Sequence, residues 1–127
     1  MRKKCVLVMM LMILLAATQV AAQTSGPIHS GWYRVDSSAY GNYYPAMWML
    51  LVKNNSISGM SYWGGEGFHK MEGNLQGKTL TVTRSWNENG KVLQQVYTGT
   101  IKGNTIEGTF KAALEAGGQG TWKLYLK

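Results

Sequence analysis

Tyr97-Thr98-Gly99-Thr100-Ile101-Lys102-Gly103-Asn104-Thr105-Ile106-Glu107-Gly108-Thr109-Phe110 reads as a β-hairpin. Gly103-Asn104 has the composition of a two-residue turn that tolerates positive φ, and the residues on either side alternate apolar and polar with the period of a strand. Folding about that turn pairs Lys102 with Thr105, Ile101 with Ile106, Thr100 with Glu107, Gly99 with Gly108, Thr98 with Thr109 and Tyr97 with Phe110. One face is then Ile, Gly and aromatic, and the other Thr, Lys and Glu. Such a ribbon needs a core to cover its apolar side.

The same pattern recurs. Val52-Lys53-Asn54-Asn55-Ser56-Ile57-Ser58-Gly59 repeats Ile101 to Gly108 at an offset of 49 residues, and Met71 to Leu80 repeats the hairpin from Tyr97 onward at an offset of 26, with its turn at Gly77-Lys78. A short aromatic strand, Gly31 to Asp36, precedes these three hairpins, and Gly120 to Lys127 follows them with Trp122, Leu124 and Leu126 alternating against polar residues. Between the first strand and the first hairpin, Ser37 to Ala46 reads as a long loop unusually rich in tyrosine. Apart from the first residues of the chain, only Lys111 to Ala116 has room for a turn of helix. Eight antiparallel strands in sequence predict an all-β, eight-stranded up-and-down meander barrel, in which the first strand closes on the last. A two-sheet β-sandwich is the alternative. Glycines facing one another at Gly99 and Gly108, with Gly59 and Gly73 in the equivalent layer, favour the barrel, because a small barrel bends sharply where side chains are missing.

Residues 1–22 have the form of a signal peptide. Arg2, Lys3 and Lys4 precede an apolar run from Val6 to Ala17, and Val20-Ala21-Ala22 predicts cleavage after Ala22, with an uncleaved anchor as the alternative. The expected organisation is therefore a signal peptide over 1–22, a loose N-terminal arm over 23–30 and one barrel domain over 31–127, in a protein that is secreted or periplasmic. The sole cysteine, Cys5, falls in the leader, so the mature chain is expected to carry neither a disulfide nor a lipid anchor. Without the leader, 10 Lys and Arg stand against 6 Asp and Glu, a net charge of +4 where the full chain has +7. The remaining lysines are spread one or two per strand, as on solvated faces, and argue against a nucleic-acid partner.

Aligning the turns sorts the inward positions into layers. Val52, Ile57, Leu75, Leu80, Ile101 and Ile106 plug the narrow end. Leu50, Gly59, Gly73, Val82, Gly99 and Gly108 follow, a layer with space for a cavity or for a sharp bend. Trp48, Ser61, Met71, Arg84, Tyr97 and Phe110 come next, then Trp63, His69, Trp86 and Gln95 at the end that carries the longer connections. That end is both aromatic and polar, as in the mouth of a ligand-binding barrel.

The register that buries Leu80 and Val82 also points Arg84 inward, and an inward guanidinium must be paired or wet. Arg84 reads either as the anchor for a carboxylate or phosphate on a ligand lying against Trp48, Trp63, Trp86 and Tyr97, or as a cation that reaches solvent or pairs with Glu66 or Glu115. His69 and Gln95 read as candidate ligand contacts or as packed rim residues. On the outer face of the first hairpin, Met47, Met49, Leu51, Met60 and Tyr62, with Trp32 beside them, form a candidate partner surface unless the loop Ser37 to Ala46 covers them or a bulge reverses the register. Thr, Lys and Glu on the outside of the later strands argue against a transmembrane barrel.

Catalytic chemistry has little to build on. Past the leader there are two histidines, no cysteine, no acid-rich loop, no Gly-x-Ser-x-Gly and no phosphate-cradling loop, so no metal, cofactor or enzymatic activity is expected. A mouth holding His69, Glu66 and Arg84 leaves acid-base catalysis as the least favoured reading.

The chain resembles the calycin-like barrels, lipocalins and avidins. Gly31-Trp32-Tyr33 is similar to the Gly-x-Trp opening of those families, Ile57-Ser58-Gly59-Met60-Ser61-Tyr62 to the second hairpin arm of avidins, and Val82-Thr83-Arg84-Ser85-Trp86 to an avidin tryptophan strand. The resemblance implies an eight-stranded meander holding a small ligand at its open end. The last strand lacks the aspartate with which avidins bind the ureido group, so biotin is not implied. The leading functional expectation is a non-enzymatic barrel binding a small, partly apolar or anionic ligand. The alternative is a protein-interaction module, an inhibitor of a secreted hydrolase or a subunit of a surface assembly.

Overall fold

In a computed structural model, which describes residues 28–64, 67–113 and 118–126, the chain is a closed barrel of eight antiparallel strands in sequence order. The strands are β1 (Gly31–Ala39), β2 (Asn42–Lys53), β3 (Ser56–Trp63), β4 (Gly67–Gln76), β5 (Thr79–Glu88), β6 (Lys91–Lys102), β7 (Thr105–Ala112) and β8 (Gln119–Tyr125). Residues 1–22, with the expected cleavage site, lie outside the described residues. Closure comes from β1 pairing with β8, Arg34 opposite Tyr125 through Ser38 opposite Thr121. The barrel is thus observed and the sandwich is not.

Every pair expected in the β6–β7 hairpin is present, from Lys102 opposite Thr105 to Tyr97 opposite Phe110. The other two hairpins keep the same register, with Leu50 opposite Gly59 and Gly73 opposite Val82. All three narrow-end turns place their first central residue at positive φ, Asn54 at 57°, Gly77 at 60° and Gly103 at 63°. The repeat also extends to how the hairpins join. The carbonyls of the second turn residues, Asn55, Lys78 and Asn104, accept hydrogen bonds from the backbone N–H of Leu75, Ile101 and Leu126 respectively. The first two turns are in this way latched to the strand that follows their own hairpin, and the third to the residue just past the end of β8.

Two expectations need correction, and one open alternative is decided. Ser37 to Ala46 is no loop: β1 runs on to Ala39, β2 begins at Asn42, and Tyr40-Gly41 forms a two-residue turn with φ of 53° and 78°, the signature of a type I′ hairpin. Pro45, which makes this stretch look unlike a strand, is accommodated because residues 42–46 pair with β1 alone, and pairing with β3 starts only at Met47. The N-terminal arm is not loose at its end. Ile28 is buried at the narrow end of the core, and Ser30 Oγ accepts the Val52 N–H at 2.8 Å. The alternatives for the outer face of the first hairpin resolve as expected for an outward face, with neither cover by Ser37 to Ala46 nor a reversed register: Trp32, Met47, Leu51, Met60 and Tyr62 are exposed, Met49 is half-buried, and Phe68 joins the patch by packing against Tyr62.

The glycine layer is a bend, and it holds no cavity. A Cβ at Gly59, Gly73 or Gly108 would collide with the backbone of the neighbouring strand, at Met49, Thr81 and Thr98 respectively. The space inside Gly99 is taken by Trp122, whose Cζ2 would lie 2.7 Å from a Cβ placed there. Trp122 stacks on Trp48 with ring centroids 5.3 Å apart, meets Tyr97 edge-on at 5.8 Å, and donates its Nε1–H to the carbonyls of Thr98 (3.2 Å) and Thr109 (3.1 Å). Four aromatic rings, those of Trp48, Tyr97, Phe110 and Trp122, therefore form a floor across the barrel, and any room for a ligand lies beyond it.

Candidate functional site

Above that floor the barrel contains a cavity of about 260 Å³ open at the wide end. Trp48, Tyr97 and Phe110 form its base, with Tyr97 and Phe110 stacked 5.1 Å apart. Trp63, Trp86, Arg84 and Gln95 line one side. The opposite side comes from the β1–β2 hairpin, through Val35, Ser37 and Ala39 on one strand and Tyr44 and Ala46 on the other. Tyr40 stands at the turn above them, close enough to Gly118 that a Cβ there would meet the tyrosine ring at 2.8 Å.

The chemistry of the site centres on Arg84. Strand alternation turns it inward two residues past Val82, and the β5–β6 register sets it directly opposite Gln95. Its Nη2 donates to Gln95 Oε1 at 2.6 Å, and the Tyr97 hydroxyl donates to the same oxygen at 2.9 Å. The guanidinium carbon lies 4.7 Å from the centre of the Trp86 ring and 5.9 Å from that of Tyr97, within the range of cation–π attraction. Among the described residues no carboxylate pairs with it; Glu66 and Glu115, the partners weighed from sequence, lie outside those residues. A guanidinium has five N–H donors. Among the described residues Arg84 has one hydrogen-bond acceptor, Gln95 Oε1, and its buried Nε has none. Burial pushes the Tyr97 phenol above its ordinary pKa, with the positive charge of Arg84 opposing that rise.

Of the residues singled out from sequence, Arg84, Trp48, Trp63, Trp86, Tyr97 and Gln95 all line the cavity. His69 does not. It is buried beside the cavity wall, its ring stacked on Trp86 at 5.0 Å and 10°, which holds the tryptophan plane that Arg84 lies against. Ser61, next to His69 in the register, is buried with its hydroxyl unpartnered. The sequence reading missed the β1–β2 wall because it treated Ser37 to Ala46 as a loop. Alternation of Tyr44, Ala46 and Trp48 against Tyr43, Pro45 and Met47, closed by Tyr40-Gly41, is the signal that identifies it. Tyr44 on β2 meets Trp63 on the neighbouring β3 edge-on at 5.7 Å, which accounts for one of the tyrosines in that stretch.

Among the described residues no group of three or more His, Cys, Asp or Glu side chains is arranged to hold a metal ion. The fold is an eight-stranded antiparallel closed barrel, consistent with calycin-like topology. Comparison with protein-family models, with curated proteins and with solved structures finds no match to this chain.

Proposed function

We propose that this protein is a non-enzymatic barrel that holds a small, partly apolar ligand at its open end, in the manner of lipocalins and avidins. The observation that carries the reading is the cavity itself: concave, walled by rigid aromatic side chains, and furnished with one convergent group of polar atoms at Arg84, Gln95 and Tyr97. A barrel stabilised by packing alone has no need of a guanidinium facing inward without a carboxylate. The basic and apolar leader at residues 1–22 supports a site of action in the periplasm or outside the cell, which the N-terminal residue of the exported protein tests directly: Gln23 is expected.

Because Trp48, Trp63 and Trp86 line the cavity, ligand entry should change intrinsic fluorescence in a metabolite screen. If Arg84→Ala and Trp86→Ala leave every such signal unchanged, the cavity is not the binding site. A second reading rests on the exposed apolar face of β1–β4, where Trp32 and Leu51 are each more than half exposed. It makes the protein a subunit of an assembly or an inhibitor of a secreted hydrolase. Monodisperse monomer in light scattering, with no captured partner lost on Leu51→Lys, counts against it.

A further inference from the structure

We infer that the ligand of this cavity is a planar aromatic monocarboxylate built on a single ring. The inference rests on reading the cavity as a ligand site and adds the class of molecule that fits it. Three observations carry it, namely charge, hydrogen-bonding polarity and size.

The charge is a single positive one. Arg84 is the only cation among the described lining residues, no acid joins it there, and His69 lies behind Trp86. In a desolvated mouth one guanidinium balances one negative charge. A phosphate monoester brings close to two, leaving the excess uncompensated.

The hydrogen-bonding polarity is that of a donor. Gln95 Oε1 already accepts from Arg84 Nη2 and from the Tyr97 hydroxyl, which occupies both of its lone pairs. Meanwhile four of the five guanidinium N–H groups have no acceptor among the described residues, and the Ser37 hydroxyl is spent on the Tyr44 carbonyl. A carboxylate is an acceptor only and complements this arrangement, whereas the amide of the same shape must also place its own N–H donors.

Size sets the rest. A cavity of about 150 Å³ accommodates benzene. The 260 Å³ here therefore takes one ring with a carboxylate on a short tether. A base of Trp48, Tyr97 and Phe110, already engaged edge-on and stacked with one another, favours a flat ring over a saturated or open-chain one.

The test is titration of the full-length exported protein with phenylacetate, 3-phenylpropionate, phenylacetamide, phenyl phosphate and octanoate, read by tryptophan fluorescence and calorimetry at pH 7.5. Phenylacetate or 3-phenylpropionate is expected to bind about 10- to 100-fold more tightly than phenylacetamide, the range for hydrogen bonds to a charged partner. That gap should fall to within about threefold in Arg84→Met, by the same reasoning. Gln95→Glu supplies a carboxylate to Arg84 from within the protein and should abolish the preference for acids while keeping the fold, so the test survives if Arg84→Met does not fold. Equal binding of the acid and its amide, or tighter binding of phenyl phosphate or octanoate, overturns the inference and leaves the cavity as a ligand site for another class. No response at the cavity tryptophans to any of the five probes or to a broad metabolite screen overturns both.

Discussion

Trp122 and Gly99 share one volume, and a double-mutant cycle measures that sharing. Replacing Trp122 by Phe removes the bifurcated hydrogen bond from Nε1 to Thr98 and Thr109, a loss of about 1 kcal/mol. It also removes buried ring atoms worth about 1–2 kcal/mol of packing and transfer, for a total of about 2–3 kcal/mol. Replacing Gly99 by Ala puts a methyl 2.7 Å from Trp122 Cζ2, 3.0 Å from the Glu107 carbonyl and 3.1 Å from Ile106 Cγ2. The backbone of Gly99 is outside the left-handed region, so the cost is steric, about 1–3 kcal/mol of overpacking, reduced by about 0.5–1 kcal/mol from the lower entropy of the unfolded chain.

In the double variant the closest of these three contacts is gone, since a phenyl ring lacks the Cζ2 atom of the indole. Its destabilisation should therefore fall short of the sum of the single changes by about 1 kcal/mol or more. Guanidinium unfolding followed by far-ultraviolet circular dichroism avoids the change in tryptophan signal. Trp122→Phe alone should lower the midpoint by somewhat under 1 M at unchanged slope. Additivity to within about 0.5 kcal/mol would refute the claim that the indole fills the space the glycine leaves.

Three further outcomes follow from the same packing. Ile28→Ala should destabilise the domain by about 2 kcal/mol, the low end for a buried isoleucine because the site lies at the end of the core, and thermal melts would show no change if the arm were loose. Arg84→Met should leave the melting temperature of the ligand-free protein unchanged or raise it, because it replaces a half-buried cation that has no carboxylate partner among the described residues with an apolar side chain; a marked fall would make Arg84 a structural rivet. Burial opposes the charge on Asp36, but hydrogen bonds from Tyr43, Arg34 and Tyr125 together with the charge of Arg34 outweigh it and hold the carboxyl below its ordinary pKa. A depressed pKa stabilises the fold above the unfolded value near 4 and is lost as pH falls through the folded one, so the stability gap between the parent and Asp36→Asn should narrow between about pH 5 and pH 3.

How much of this was legible without coordinates depends on the element. Where strands are two-faced and the turn chemistry is local, register follows from sequence alone, because a one-residue slip would turn Ile101, Ile106 and Leu80 out to solvent. That logic placed Arg84 and Gln95 on the inside. It failed for Ser37 to Ala46, where Pro45 and the five consecutive turn-forming or tyrosine residues before it, Tyr40 to Tyr44, mimic a loop. The pairing that makes a strand of them is supplied by β1 alone.

Alternation and turn composition determined eight strands, their partners, the inward set and the one inward cation, because these are properties of neighbours along the chain. Only the tertiary structure decided that Trp122 fills the glycine layer, that His69 backs Trp86 without reaching the cavity, and that Tyr44 packs edge-on against Trp63. Trp122 on β8 reaches past β7 to Gly99 on β6, and the other two contacts join neighbouring strands, β4 with β5 and β2 with β3, through side-chain orientations that strand pairing alone does not set. They depend on the volume left when the β1–β8 seam closes, a quantity that no local pattern carries.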